Sequence, residues 1–549
     1  MLKVVGASWL QTRISTYILV AVALLGIGAI ILGEFGHVEQ DGTYSATVSW
    51  NRKGGYRIDF WGQGNDLTAV PLHAARAYYK TGIFEHGWSY IEIETSSKYP
   101  DTVQAYAAGL LEGSLTWQLI HHHWYNTVRA ACEEKFAECR KLSQYLRENT
   151  IMIRQRVELL SSTDPFWHMI RLFYMQLDGL EAGWKFAVRR SRVSVSLDSD
   201  DFLWLALASD MPGFQRLYNV SNLPLSSMIY LKSLPRDKSE PLIAIGHNTA
   251  TSYAKMLKLL KKYTFGYHVL PATKTAAPTP SRSIVMSSYP GALSSGDEFY
   301  SMHGQDRKFV VTGTSLLATN YGKWSFLYPA DHVMLSARLM AAHRLATSGQ
   351  SWFECISHQN GGASAFQWVI YEPRSSVMLL VEQLPSLTVA MNYTEEFKEA
   401  GYLSYTGISN FPDVNDIVRP VGKDINDDWN DHFARLQKNI SSYEQFRNTM
   451  RGCSQDDCAT ETQNSKLDPL QELVYRGDLE IEPVPYGIVD SKILTVDSDG
   501  HEAFETIAGP TTQRSRPPFK WSEKFPNISH MGHPDCFAFE SVTHRWVWV

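Results

Sequence analysis

The side chains of this sequence best suited to chemistry are its histidines, its cysteines and one acidic run. His121-His122-His123 stand in succession within a predicted helix, where neighbouring side chains point about 100° apart, so no more than two of them can share a metal ion. Asp424-Ile-Asn-Asp427-Asp428 offers carboxylates for calcium. It lacks the glycine and the terminal glutamate of an EF-hand loop, and a solvated acidic loop is expected. The six cysteines include two local pairs. Neither pair has the two-residue spacing of a zinc ligand set, and no histidine pair completes one. In an oxidising compartment the pairs read as short-loop disulfides, Cys132–Cys139 and Cys453–Cys458. Cys355 and Cys536 then pair with one another or stay as buried thiols. There is no G-x-S-x-G elbow, H-E-x-x-H helix, Walker A loop or G-x-G-x-x-G turn, and no metal and no cofactor is expected.

The chain around these residues has 549 residues, with 51 basic and 57 acidic side chains and a formal charge of −6. That balance excludes a polybasic nucleic-acid binder. With 44% apolar and 12% aromatic residues, it also excludes a disordered chain. Ile14–Gly33 is an uncharged apolar run with Lys3 and Arg13 before it and Glu34 after it. About 20 such residues span the roughly 30 Å hydrocarbon core of a bilayer, and the flanking charges place the rest of the chain in the secretory lumen. Residues 1–36 are therefore a cleaved signal peptide or a retained signal-anchor, the second giving membrane association. Sequons at Asn219, Asn392, Asn439 and Asn527 agree with that address and are expected to be glycosylated.

Period-two patterns predict strands over 44–48 and 89–94, and residues 103–189 read as helical. Strands are expected over 228–231 and 242–245, joined by the polar turn 235–239. A helix is expected from about Thr251, with Tyr253, Met256, Leu257 and Leu260 on one face. Lys255, Lys258, Lys261 and Lys262 then point outward, wet or against anionic headgroups. Further strands are predicted over 283–287, 308–312, 368–371 and 378–382, and a polar loop over about 413–463. Strands and helices come in blocks rather than in strict alternation, which argues for an α+β fold.

Gln104-Ala-Tyr-Ala-Ala-Gly109, Leu177-Asp-Gly-Leu-Glu181, Gly246-His-Asn-Thr249, Ser287-Ser-Tyr-Pro-Gly291, Asp297-Glu-Phe-Tyr300, Gln367-Trp368, Glu382-Gln-Leu-Pro385 and His530-Met-Gly-His-Pro-Asp535 follow one another along the chain. In kind and order these segments resemble the phospholipase B-like family, over roughly residues 42–548. The opening Met1-Leu-Lys-Val-Val-Gly-Ala-Ser-Trp9 is similar to that of an insect branch of it. The resemblance implies an N-terminal-nucleophile hydrolase fold of stacked β-sheets between helical layers. Residues 42–224 would form its helix-rich N-terminal part and 225–549 its C-terminal part. It also implies a secreted or lysosomal hydrolase of ester or amide bonds, with phospholipid or a related lipid as its partner. In that family the precursor cuts itself before a cysteine. The thiol becomes the nucleophile and its freed α-amino group the base, which is sound chemistry for a strong nucleophile beside an amine of pKa near 8.

At the centre of that motif the sequence departs. Leu225 stands at the nucleophile position of Leu223-Pro-Leu-Ser-Ser-Met-Ile-Tyr230, and leucine can neither attack a carbonyl nor drive an acyl shift. Ser226 or Ser227 is the nearest substitute. His247, Asn248 and Thr249 match the following motif, but its tryptophan is Ala250, and the asparagine pair before Gln367-Trp368 is Ala365-Phe366. His247 serves the pocket or satisfies the core, and Asn248 and Thr249 serve the pocket or cap the predicted helix. Two functions of different class follow. One is a lumenal phospholipase using Ser226 or Ser227 with His247 or an amine as base and Asn248 beside them. The other is a catalytically silent relative that binds lipid or a protein partner.

Overall fold

The structure, a computed structural model, describes residues 16–18, 20–22, 41–61, 67–223, 225–236, 240–271, 276–305, 307–317, 332–418, 433–452, 474–513 and 516–548. Residues 1–42 are a unit apart from 43–549, and within them 16–18 and 20–22 are helical. Among the described residues no helix is long and apolar enough to cross a membrane. The Ile14–Gly33 span falls mostly outside them, as do Asp424–Asp428, Cys453 and Cys458.

The larger unit places its alternating segments in two main sheets. Its strands in chain order are β1 (Thr43–Asn51), β2 (Gly55–Trp61), β3 (Ala75–Lys80), β4 (Trp88–Thr95), β5 (Ser226–Leu234), β6 (Leu242–Ser252), β7 (Lys258–Thr264), β8 (Ser281–Ser288), β9 (Phe299–Gly304), β10 (Lys308–Ser315), β11 (Phe366–Glu372), β12 (Val377–Leu384), β13 (Leu387–Asn392), β14 (Tyr402–Tyr405), β15 (Tyr486–Val496), β16 (Glu502–Ala508), β17 (Phe519–Lys520), β18 (Cys536–Phe537) and β19 (Val542–Thr543). Eleven of them form one sheet in the order β13-β12-β11-β10-β9-β8-β7-β4-β3-β1-β2, and six form a second, β14-β5-β6-β15-β16-β19. The large sheet is antiparallel except at β4 and β7, which run parallel.

The helical block predicted over 103–189 is α1 (Asp101–Leu115), α2 (Trp117–Trp124), α3 (Phe136–Leu160) and α4 (Pro165–Ser191). Asp164 starts α4 by accepting from the main-chain N–H groups of Phe166 and Trp167, with Pro165 in the first turn where no N–H is needed. α1 and α4 approach almost backbone to backbone. A Cβ on Gly109 would lie 1.9 Å from the Gln176 carbonyl oxygen, and one on Gly179 would lie 2.1 Å from that of Tyr106. These helices pack on one face of the large sheet and share its core. The other face packs on the small sheet, with Val310, Val369 and Leu380 against Ile229, Ile245 and Leu494. Outside the small sheet lies the helix Tyr443–Met450, whose Phe446 and Met450 cover Tyr230 and Ala244. The α+β class expected from the blocks is therefore observed, and its layers run helix, sheet, sheet, helix.

Two elements differ from expectation. No helix begins at Thr251: β6 continues to Ser252, a single 3-10 turn covers Tyr253–Lys255, and β7 follows. Asn248 and Thr249 lie inside a strand and cap nothing. The lysines are not an outward or membrane-facing stripe, because Lys258 and Lys261 are fully buried and each is ion-paired. The region expected to be a loop from 413 to 463 contains the helices Pro412–Val418 and Tyr443–Met450. Cys132 and Cys139 are disulfide-bonded with Cα atoms 5.7 Å apart. Cys355 and Cys536 are free, and Cys536 is exposed rather than buried.

Candidate active site

The candidate residues lie on the hairpin β5–β6, where the small sheet meets β10 of the large one. Its register sorts them by face, since cross-strand partners share a side and neighbours along a strand do not. Ser227 pairs with Thr249 and Ile229 with His247, while Ser226 pairs with Ala250 and Met228 with Asn248. Ile229 faces the core between the sheets, and Met228 and Ala250 face the outer helix. Ser227, His247 and Thr249 thus point between the sheets, and Ser226 and Asn248 point the opposite way. The Asn248 amide confirms this by donating to the Met450 carbonyl at 2.8 Å. The four candidate catalytic residues are not brought together.

Nor is Ser227 prepared to attack. Leu225, which the resemblance sets at the nucleophile position, is 5% exposed and packs in the main apolar core. The Ser227 hydroxyl is buried without a hydrogen-bond partner among the described residues, so no base receives its proton. Its main chain is held by Thr314, which accepts from Ser227 N at 3.1 Å and donates to its carbonyl at 2.6 Å. His247 Nε2 donates to the Gly313 carbonyl at 3.0 Å. Burial and the neighbouring Lys492 ammonium push its pKa down to about 3, so the ring is neutral and a weak base. It is positioned as a cross-sheet tie.

Behind His247 lies a charged cluster that motif reading missed. Lys258 Nζ is 2.5 Å from Asp297 and 2.8 Å from Asp490, and Lys492 Nζ is 3.0 Å from Asp297 and 2.5 Å from Asp490, all with side chains fully buried. Lys492 also donates to Thr249 Oγ1 at 2.8 Å. Ser287 and Ser295 each donate to Asp297 Oδ1 at 2.6 Å. Burial alone would raise the Asp297 pKa, but the two ammonium groups overcome it and hold the carboxyl well below its usual range. Two cations and two anions make a neutral, saturated network. Asp297 was legible only as a member of a motif. Lys258 and Lys492 carried no local signal, because each meets Asp297 across 39 and 195 residues of sequence.

Next to Asp297, Glu298 is fully buried and adopts a left-handed backbone, φ 64°. Its main-chain carbonyl accepts from Gly313 N at 2.7 Å. Burial, opposed by hydrogen bonds from Ser209 and Tyr300, raises its pKa to about 8. At the missing asparagine pair, Ala365 and Phe366 are both buried. The retained Gln367 and Trp368 bind Glu382 and Gln383 of the next strand, at 2.8 and 3.3 Å, which is a scaffold role. His121-His122-His123 lie on α2, and among the described residues they are not drawn into a metal-ligating group. Asn219, Asn392, Asn439 and Asn527 are all exposed.

The profile of a family described as Phospholipase B matches residues 75–544. The phospholipase B-like lamina ancestor protein of Drosophila melanogaster is 29% identical over the whole of both chains. The phospholipase B-like 2 protein of Homo sapiens is 27% identical over 87% of this chain and 86% of its own. The phospholipase B-like protein C of Dictyostelium discoideum is also 27% identical, over 87% and 88%. A family match over residues 75–544 means that the chain belongs to the phospholipase B family.

Proposed function

We propose that this protein is a catalytically silent phospholipase B-like protein of the secretory lumen, N-glycosylated, that binds lipid without hydrolysing it. The observation that carries the reading is the division of the hairpin: Leu225, which the resemblance sets at the nucleophile position, is buried, and the two adjacent serines face opposite sides, the Ser227 hydroxyl without a partner among the described residues. The family lineage supports lipid as the ligand class, and the four exposed sequons support the lumenal address. The N-terminal-nucleophile ancestry is supported by the stacked sheets and by the place of Leu225 at the start of β5.

The test is intact-mass analysis of protein matured at acid pH, paired with an acyl-release assay on phospholipid vesicles. The reading expects one uncut chain and no acyl release above that of a Ser226→Ala, Ser227→Ala double variant. A new N-terminus at Ser226 or Ser227, with release that the matching alanine variant abolishes, would establish the hydrolase instead.

A further inference from the structure

Away from the hairpin, four distant segments meet at a corner rich in hydrogen-bond donors and poor in acceptors. From α2 comes His123, 6% exposed, whose ring stacks on Tyr289 with centroids 5.4 Å apart and whose Nδ1 has no partner among the described residues. Lys258 Nζ also lies 4.0 Å from the Tyr289 ring centroid. The turn Tyr253–Lys255 brings the Lys255 ammonium, which among the described residues makes no ion pair and is only partly exposed. The C-terminal strap brings His533, 8% exposed, with neither ring nitrogen partnered among the described residues. It also brings Trp521, fully buried with a free indole N–H and 5.5 Å from the His533 ring.

The strap is held in place. Asn126 donates to the Met531 carbonyl at 2.8 Å and accepts from Met531 N and Ser529 Oγ, also at 2.8 Å. Gly532 permits the contact, since a Cβ there would come within 2.3 Å of His122 Nδ1. The turn meets the strap, because Tyr253 and Met256 on either side of Lys255 pack in one apolar cluster with Trp521 and Phe537, and Lys255 and His533 add to the burial that keeps the His123 imidazole neutral.

Buried donors left unpaired are costly, and an ammonium without a counter-ion more so. Lys258 is already neutralised by Asp297 and Asp490, so Lys255 is the charge in want of a partner. Neutral imidazoles offer an N–H and a lone pair each. A phosphate group that keeps one acidic proton matches both, by accepting from the N–H groups and donating from its P–OH, whereas a carboxylate can only accept. We infer that Lys255, His123 and His533 form a binding site for a phosphate group, on a lipid headgroup or free in solution. The site uses none of Leu225, Ser226 or Ser227 and does not depend on whether the hairpin is catalytic.

The test uses the full chain. Calorimetric titration with inorganic phosphate is run beside flotation with phosphatidylcholine vesicles with and without phosphatidic acid. Saturable binding of phosphate assigns the site to the soluble anion, and binding to the phosphatidic acid vesicles alone assigns it to the headgroup. Lys255→Gln and His533→Phe should each weaken binding about tenfold or more, while Lys398→Gln, at an exposed surface pair, should leave it unchanged. Phenylalanine keeps the ring at position 533, so at least one variant retains the packing, and melting curves verify this. Binding in neither arm, or binding that folded variants at both positions leave unaltered, would overturn the inference.

Discussion

The hydroxyl of Thr314 takes both main-chain groups of Ser227, accepting from its N–H at 3.1 Å and donating to its carbonyl at 2.6 Å. The neighbouring strand β14 reaches only as far as Ile229, so on that side of β5 no ladder reaches Ser227. Thr314→Val keeps the shape and leaves two buried polar groups unpaired, at a cost of about 2–4 kcal/mol. Thr314→Ser should recover most of it. Urea unfolding of the three proteins checks this, and a valine variant within about 0.5 kcal/mol of the parent would mean that water replaces the hydroxyl.

Lys492 is the second cation between Asp297 and Asp490. Lys492→Met would leave two buried carboxylates to one ammonium and should lose about 3–5 kcal/mol. Adding Asp490→Asn should return part of that loss, because the charges again balance. A double variant whose losses simply add would show that the two side chains do not interact.

Glu298 gives the stability a pH dependence of known sign. Its pKa is raised from 4.5 to about 8 by burial, so the folded state holds a proton that the unfolded chain releases. Its stabilising contribution is complete below about pH 4.5 and is lost as pH rises through about 8, with a slope near 1.4 kcal/mol per pH unit between them. Asp297 acts in the opposite sense, since its depressed pKa loses stability only as acid protonates it below its ordinary range. The buried, neutral His247, with its pKa lowered to about 3, also loses stability as pH falls below about 6.5, so it opposes Glu298 in mild acid. Glu298→Gln should flatten the decline between pH 5 and 8 in unfolding measurements, and an unchanged slope would remove Glu298 as its source.

Gly109 and Gly179 let α1 and α4 touch through their main chains. Gly109→Ala would raise helix propensity by about 1 kcal/mol in an isolated helix. Here it would set a methyl group 1.9 Å from the Gln176 carbonyl oxygen. The expected outcome is a lower melting temperature despite the better helix former, and a higher one would show that the helices can separate freely.

Much of this architecture was legible because it is local. The strands at Tyr44, Ser89, Ile284 and Val311, and the long α4, follow from periodicity alone. The stretch after Thr251 misled because apolar residues at 253, 256, 257 and 260 also satisfy a helical period, with lysines filling the gaps. In the folded chain Lys258, Lys261 and Lys262 are charges whose partners, Asp297, Glu112 and Glu92, lie far away in sequence. Two β strands separated by a tight turn therefore imitate one amphipathic helix. The same limit applies to the site. Alternation shows that Ser226 and Ser227 face opposite sides, but only the pairing with Ala250 and Thr249 decides which one looks between the sheets.

The parallel pairing of β4 with β7 fixes an order of events when the chain is made. Trp88 and Lys258 are neighbours in the sheet, yet the whole helical block and the β5–β6 hairpin are synthesised between them. At about 5–20 residues per second, the edge of β4 waits on the order of ten to thirty seconds for its partner. Until then the first four strands can hold only a sheet that is open on that side, with α1 and α4 packed beside it. Closing the gap late makes β7 the keystone of assembly, and the interval before it arrives is when a chaperone has most to protect.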